Sequence, residues 1–285
     1  DHRDLHSFPT RRSSDLAKGI PVVLYNANAF PVNDIVELAI DMPDSSKGLS
    51  VYNSFGKRAK SQYISYEGGK AHLLVQASVP ATGYAIYDVR VDGKSDMSLS
   101  KKTSILENSI YKITLDKNGD ISSLIDKRNN KELVKDGKTI RLAVFTENKS
   151  YRWPAWEIIK ETIDKDPVSI VDDVKVAMTE NGMLRKTICV EKKYGDSSFK
   201  QYIRVYEGSR SDRIDFYNEV DWKSTNTLLK AEFPLNLENE KATYDLGLGS
   251  VERGNNTQTA YEVYAQQWAD LTDKSNGYGV SIMND

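Results

Sequence analysis

The sequence is poor in the residues that build disulfide frameworks and metal centres. Its 285 residues include one cysteine, Cys189, and three histidines, two of which lie within residues 1–16. A single cysteine excludes an internal disulfide framework and is typical of a reducing, cytoplasmic location. A zinc site needs three or four convergent ligands. His72 and Cys189 lie in separate alternating segments, so we predict no metal site and no bound cofactor in this chain.

Long apolar runs, a surplus of charge of one sign and a phosphate-binding loop are also missing. No apolar stretch approaches the ~20 residues that span a bilayer as a helix. The formal net charge is −2, which offers little attraction to nucleic acid or to an anionic membrane. The stretch GLGSVERG (247–254) begins like a phosphate loop but lacks its lysine and its strand–turn–helix context. We therefore expect neither nucleic acid nor a membrane as a partner.

The first sixteen residues, DHRDLHSFPTRRSSDL, differ in character from the rest of the chain. Their three arginines are balanced by three aspartates, and they contain no apolar region of a secretory signal. Codon by codon, a common adapter of short-read DNA library preparation translates into the same residues. We interpret 1–16 as an adapter-derived scar that is not native. We also expect the chain to be a piece of a longer protein, because its end, NGYGVSIMND, stops within a strand pattern.

Alternation of apolar and polar residues dominates the chain after Ala17, and no window carries a long helical stripe. Residues 61–80 predict two strands joined at Gly68-Gly69, and Asn118-Gly119 is a strong hairpin signal within 108–133. Further strands are predicted over 19–26, 33–41, 83–93, 138–147, 169–180, 185–195, 200–208, 212–222, 228–237, 241–254 and 278–284. The sequence predicts an all-β chain: a small immunoglobulin-like β-sandwich (17–93), a polar linker (94–104) and a large, C-terminally truncated antiparallel β-sandwich (105–285).

Acidic residues next to aromatic ones are the remaining candidates for chemistry. Glycosidases need two carboxylates at a set separation, but 41 acidic residues make such pairs unavoidable. Three stretches combine acids with aromatics: YRWPAWE (151–157), NEVDWK (218–223) and VERGNNTQTAYEVYAQQWADL (251–271). A flat aromatic face beside a carboxylate or an arginine suits a sugar ring. The candidates for a substrate wall are Trp153, Trp156, Glu157, Glu252 and Arg253, with core packing or surface ion pairs as their alternative roles.

Several blocks, in one order along residues 17–285, resemble the C-terminal region of the α-mannosidases of glycoside hydrolase family thirty-eight, especially its bacterial and cytosolic-type members. They are PVVLYNANAFPVND (21–34), LENSIYKITLDKNGDISSLIDK (106–127), DRIDFYNEVDW (212–222), LLKAEFPLNL (228–237) and the run from YDLGLGSVERG (244–254) to YGVSIMND (278–285). The stretch YRWPAWE resembles the W-x-A-W-D stretch of that family, with Glu157 where aspartate is usual.

The resemblance implies an intact parent that hydrolyses α-mannosides with retention, using an aspartate nucleophile and a zinc ion. In the family both belong to an N-terminal α/β barrel, which a helical bundle follows. The matching residues correspond only to the β domains after them, the larger of which resembles galactose mutarotase. No catalytic residue and no zinc ligand is therefore expected in this chain, which would support and partly wall the active site.

The resemblance also implies partners, namely the missing barrel and helical domain and, through the parent, an α-mannoside. Two other classes of protein are the alternatives. A stand-alone carbohydrate-binding module would need its own start and stop. A structural interaction protein, such as a surface adhesin, would show repeats or extracellular signals.

Overall fold

A computed structural model describes residues 18–42, 48–92, 103–153, 156–254 and 257–284. The predicted scar (1–16) and residues 94–102 of the predicted linker lie outside these ranges. Within them, regular structure is almost entirely strand, apart from a one-turn helix α1 (Lys160–Ile163) and a 3-10 turn (Gly208–Arg210). The all-β prediction is therefore confirmed. The domain boundaries at 93 and 105 stay predictions.

The strands are numbered here in chain order. The first six are β1 (Ile20–Asn26), β2 (Val32–Asp41), β3 (Leu49–Asn53), β4 (Ser61–Glu67), β5 (Lys70–Val79) and β6 (Gly83–Val91). The next six are β7 (Ile105–Glu107), β8 (Tyr111–Leu115), β9 (Ile121–Asp126), β10 (Lys131–Glu132), β11 (Arg141–Phe145) and β12 (Val168–Ser169). The rest are β13 (Asp172–Asn181), β14 (Arg185–Tyr194), β15 (Ser197–Tyr206), β16 (Ile214–Asp221), β17 (Leu228–Glu232), β18 (Lys241–Asp245), β19 (Ser250–Gly254), β20 (Trp268–Thr272) and β21 (Gly279–Met283).

Both hairpins signalled by the sequence are confirmed. Strands β4 and β5 pair antiparallel up to Glu67 and Lys70, and Gly68 and Gly69 between them have positive φ, the backbone region that glycine enters most easily. Strands β8 and β9 flank the second turn. There Asp116 Oδ1 accepts the backbone N–H groups of Asn118 and Asp120 at 2.8 and 2.9 Å.

Several predicted segments are divided differently in the structure. The stretch 169–180 is not one strand, because β12 ends at Ser169 and β13 begins at Asp172. The stretch 241–254 is a hairpin rather than one run, since Leu246 N–H donates to the Gly249 carbonyl in the turn between β18 and β19. The predictions omitted β3, β7 and β20. Short strands such as β7 carry too few residues for alternation to reveal them.

The chain divides into two compact units. Unit 1 comprises the described residues up to Lys112 together with Lys175–Glu191 and Phe199–Glu219. Unit 2 comprises Ile113–Val174, Lys192–Ser198 and the described residues from Val220 onward. All four tryptophans of the sequence, Trp153, Trp156, Trp222 and Trp268, belong to unit 2. Tryptophan fluorescence therefore reports directly on residues of unit 2.

Unit 1 contains a β-sandwich of two three-stranded sheets, with strand orders β1-β6-β3 and β2-β5-β4. Alternate residues of both sheets meet in one buried cluster that includes Leu38, Ile40, Val51, Leu73, Val75, Tyr87 and Val89. Strand β5 is apolar at consecutive positions, because Leu74 lies on the opposite face and is also buried. There Leu74 and Ile35 pack against Leu184 and Tyr206. A strand covered on both faces loses its alternation for this reason.

Gln62 joins β4 to the turn between β13 and β14 within unit 1. Its side chain is 1% exposed. Its Oε1 accepts the N–H groups of Leu184 and Arg185 at 2.9 and 2.8 Å, and its Nε2 donates to the Arg185 carbonyl at 3.0 Å. The side chain lies directly over Gly182, where an added Cβ would be 2.0 Å from Gln62 Cδ. The turn therefore requires glycine for space rather than for its backbone angles.

Arg185 adds a buried ionic group beside this contact. Its Nε and Nη2 donate to the two carboxylate oxygens of Glu180 at 2.6 and 2.8 Å, and its Nη1 donates to Glu37 at 3.1 Å. Burial lowers the pKa of the Arg185 guanidinium, but the hydrogen bonds and charge of Glu180 outweigh it and raise that pKa. Arg185 thus stays charged, with a carboxylate on each side.

Unit 2 has buried apolar residues on the strands near its hairpin, including Ile113, Leu115, Ile121, Ala143 and Val144. Ile121 and Ile140 exchange two backbone hydrogen bonds of 3.0 and 2.9 Å. Beside them a buried ion pair joins Lys192 and Asp120, whose side chains are 8% and 5% exposed. Burial raises the pKa of Asp120, against the opposing effect of Lys192.

Asp126, the last residue of β9, joins two distant parts of unit 2. Its carboxylate is fully buried. Oδ2 accepts from Arg128 Nη2 at 2.6 Å and from the Tyr278 hydroxyl at 2.8 Å, and Oδ1 accepts the Arg128 N–H at 3.0 Å. The Arg128 side chain lowers the pKa of Asp126 to about 2, although burial acts in the opposite direction.

Asp126→Asn is expected to destabilise unit 2 in a pH-dependent way. The pKa of Asp126 lies below its ordinary value of 3.8, so the carboxylate stabilises the fold fully above about pH 4 and loses this effect toward about pH 2. The variant should lose about 2 kcal/mol of unfolding free energy at neutral pH. Urea unfolding followed by tryptophan fluorescence measures this loss.

The difference between Asp126→Asn and the parent chain should shrink as the pH falls from about 4 to about 2. Asp136→Asn, at an exposed position, is the matched control and should change the unfolding free energy by less than about 0.5 kcal/mol. A loss in Asp126→Asn that is the same at neutral and acidic pH would contradict the assignment.

Candidate functional site

The two candidate tryptophans, Trp153 and Trp156, belong to the loop between β11 and α1 (residues 146–159, the tryptophan loop). Asn148 fixes this loop at both ends. This side chain is buried. Its Nδ2 donates to the Glu157 carbonyl at 3.0 Å, and its Oδ1 accepts the Ile159 N–H at 3.0 Å. The Asn148 N–H donates to the Asn226 carbonyl at 2.9 Å. The side chain and the backbone N–H of Asn148 together hold the base of the loop in one position.

Within the loop, Trp153 and Trp156 stack on each other. Their ring centroids are 5.4 Å apart and the rings are inclined by 23°. The two side chains are 49% and 72% exposed, so the pair presents aromatic surface to solvent. Neither lies in a strand, as the sequence predicts. Because proline fixes φ, the sequence predicts a stiff turn at Pro154, and this residue lies outside the described ones.

Glu157 takes part in the internal hydrogen bonding of this loop. Ser150 Oγ donates to Glu157 Oε2 and accepts the Trp153 N–H, the latter at 2.8 Å. The Glu157 N–H donates to the Trp153 carbonyl at 2.9 Å. Glu157 is exposed and directly follows Trp156 in the chain. It can still accept a further hydrogen bond, since a carboxylate offers about four acceptor positions.

The segment 257–264 links this loop to β19. The Tyr261 hydroxyl donates to the Ile158 carbonyl at 2.8 Å, and Glu262 pairs with Lys230. At the other end of the segment, Arg253 Nη1 donates to the Tyr264 carbonyl at 2.6 Å. The segment thereby provides the connection between the tryptophan loop and the second group of candidates.

Glu252 and Arg253 lie on opposite faces of the sheet β19-β18-β20-β21 because they are consecutive residues of one strand. Glu252 pairs with Lys241 at 3.0 Å, and this hydrogen bond lowers the pKa of Glu252. Arg253 lies over the Tyr244 ring, 5.7 Å from its centroid. The structure therefore does not bring these two residues into one site.

The face that carries Glu252 also contains a groove of about 410 Å³ lined by Thr243, Trp268, Asp270, Ser281 and Met283. The strand registers place Glu252, Thr243, Asp270 and Ser281 in one row across the sheet, with Trp268 opposite Met283. The Ser281 and Thr272 hydroxyls donate to the two Asp270 oxygens at 2.8 and 2.7 Å.

These groove residues are not among the substrate-wall candidates predicted from the sequence. A signal was present, because Trp268 and Asp270 belong to the flagged stretch 251–271 and are two positions apart, which places them on one face of a strand. Their neighbours from β18 and β21 could not be assigned without the strand registers.

Metal ligands are not grouped in the part of the chain that the structure describes. No cluster of three or more His, Cys, Asp or Glu side chains there could hold a metal ion. These residues therefore do not fit the zinc that the resemblance assigns to the parent. No helix in these described residues is long and apolar enough to cross a bilayer.

Comparison with known families gives a match over most of the chain. Residues 106–285 match the model of the glycosyl hydrolases family 38 C-terminal domain. The chain belongs to glycosyl hydrolase family 38. The match begins with Leu106 in β7 and continues to the end of the chain. The tryptophan loop, β19 and the groove all lie within this family 38 domain.

Known relatives of this family 38 chain are named as α-mannosidases. Alpha-mannosidase G of Dictyostelium discoideum is 27% identical over 93% of this chain and 25% of its own length. Human alpha-mannosidase 2C1 is 26% identical over 84% of this chain and 24% of its own. The chain thus spans about a quarter of the length of these relatives.

Solved structures show the same fold. An α-mannosidase from Enterococcus faecalis V583 superimposes with a TM-score of 0.60 at 10% sequence identity. The superposition covers 89% of this chain and 36% of the other. A second family 38 protein from Enterococcus faecalis gives a TM-score of 0.61 at 11% identity. At such identities the likeness is one of fold.

Proposed function

We propose that this chain is the non-catalytic C-terminal β region of an α-mannosidase whose intact form hydrolyses α-mannosides with retention. The observation that carries the proposal is the family match over residues 106–285, together with relatives that are named α-mannosidases. The chain spans about a quarter of their length. In this proposal the nucleophile and the zinc ion belong to the rest of the parent protein. The cytoplasmic location is part of the same proposal.

The chain's own contribution in this proposal is to support and partly wall the sugar pocket. Trp156 and Glu157 are the wall residues, since an exposed indole can cover the apolar face of a sugar and an adjacent carboxylate can accept a sugar hydroxyl. The stacking of Trp153 and the hydrogen bonds of Ser150 and Asn148 favour this role, because they hold both groups in position before a ligand arrives. Partners of the loop are the barrel and helical domain of the parent.

The test is Glu157→Gln in the full-length gene product, obtained by recovering the coding DNA upstream of Ala17. The substitution keeps the shape of the side chain and removes its charge. We expect kcat/KM for an aryl α-mannoside to fall roughly tenfold, as for the loss of a charge-assisted contact in the transition state. Steady-state kinetics and a melting curve measure the effect on catalysis and on stability.

Glu161→Gln, at an exposed position in α1, is the matched control and should leave both measurements unchanged. A change in kcat/KM below about twofold at unchanged stability would mean that the loop is only structural. The 285-residue chain should give no turnover by itself. Turnover by this chain alone would contradict its non-catalytic assignment.

A further inference from the structure

A groove on the family 38 domain combines one aromatic ring with a polar floor. Trp268 and Met283 lie opposite each other on β20 and β21, and Asp270 lies between Thr243 and Ser281 on the adjacent row. The volume of about 410 Å³ is in the range of small-molecule sites. We propose that this groove binds a neutral hexopyranose, either free or as a residue of a glycan.

The arrangement of groups complements a pyranose ring. A pyranose has an apolar face of C–H groups and an equatorial rim of hydroxyls. The half-buried indole of Trp268 and the exposed thioether of Met283 offer apolar surface to the C–H face of the sugar. Asp270 offers charge-assisted acceptors to the hydroxyls of the sugar. The Thr243 hydroxyl can donate or accept, and Ser281 Oγ, whose hydrogen is donated to Asp270, can accept.

Asp270 is held in place before any ligand binds. The hydroxyls of Ser281 and Thr272 each donate to one of its oxygens, and each oxygen retains a free acceptor position. The side chain therefore needs no rearrangement to accept a sugar hydroxyl. Such pre-organisation reduces the entropic cost of binding a small ligand.

The charges favour a neutral ligand over an anion or a quaternary cation. The lining contains Asp270 and no basic side chain, so a phosphate or carboxylate would be repelled. Lys241 lies two residues from Thr243 on the same face of β18. Its charge is balanced by Glu252, with which it forms an ion pair. A quaternary ammonium would be expected to have an aromatic cage, whereas Trp268 is the one ring in this lining.

The test is a titration of the 285-residue chain with methyl α-D-mannopyranoside, followed by NMR on the Trp268 indole N–H and the Met283 methyl group. We expect saturable shifts at both, with a Kd on the order of millimolar. Trp268→Ala and Asp270→Asn should each weaken binding about tenfold or more, because they remove the stacking surface and the charged acceptor.

Met183→Ala, at an exposed methionine of unit 1, is the control substitution away from the groove and should bind like the parent chain. Melting curves of each variant separate lost binding from lost folding. Three results would overturn the proposal: no saturation at about 100 mM sugar, equal binding by Trp268→Ala, or groove shifts with tetramethylammonium instead of sugar. The proposal does not rest on the proposed function, because binding is measured in this chain without any turnover.

Discussion

Replacement of Gln62 by alanine should lower the unfolding free energy of unit 1 by about 3 kcal/mol. The substitution leaves the N–H groups of Leu184 and Arg185 without their acceptor in a place that is closed to water. The Arg185 carbonyl keeps one partner, the Gly182 N–H at 3.0 Å. Two orphaned donors together with the vacated volume account for the size of the effect.

Gly182→Ala should destabilise the same contact from the other side, because the new Cβ would overlap Gln62. The two single variants should not be additive. The double variant Gln62→Ala/Gly182→Ala should lose less unfolding free energy than the sum of the two single losses, by at least about 1 kcal/mol, because the added methyl group then has room. Far-UV circular dichroism in urea gives the free energies. Hydrogen exchange of β4 and β14 shows whether the loss is in unit 1.

Gly249→Ala is the matched glycine control, because an added Cβ there would meet nothing within 4 Å. It should change stability by less than about 0.5 kcal/mol. The tryptophan emission spectrum of folded Gln62→Ala should equal that of the parent chain, because all four tryptophans lie in unit 2. Strict additivity of the two single variants would contradict the contact between Gln62 and Gly182.

Lys192→Met is expected to cost unit 2 about 3–5 kcal/mol, which is the usual result of removing one partner of a buried ion pair. Asp120 would be left buried and charged. Burial already raises its pKa with Lys192 present, so protonation stabilises the folded state relative to the unfolded chain. The difference between the variant and the parent should therefore shrink as the pH falls through the raised pKa of Asp120.

Lys193→Met is the matched control, because Lys193 pairs with Asp173 where both side chains are more than half exposed. It should cost less than about 1 kcal/mol. The double variant Asp120→Asn/Lys192→Met should recover at least about half of the loss, since an uncharged amide replaces the unpaired carboxylate. Urea unfolding followed by tryptophan fluorescence measures all three. Equal losses in Lys192→Met and Lys193→Met would contradict the burial of the pair.

Local patterns in the sequence were sufficient to predict the class of fold and the positions of most strands. Alternation has a period of two residues and needs no knowledge of the partner strand, so β2, β6 and β14 could be predicted from their own residues. The Gly68-Gly69 turn is likewise local. The same period implies that Glu252 and Arg253 face opposite sides of their sheet. The prediction that both belong to one substrate wall overlooked this.

The sequence by itself therefore determined an all-β chain, its hairpin turns and, through ordered blocks, the family to which it belongs. Only the tertiary structure decided which distant residues meet: Gln62 with Gly182, Asp120 with Lys192, and Asp126 with Tyr278. It also decided that Trp268, Asp270 and Ser281 share one groove. The physical reason is that alternation fixes the face of a residue within its own strand. The order and register of strands far apart in the chain depend on packing that no local pattern records.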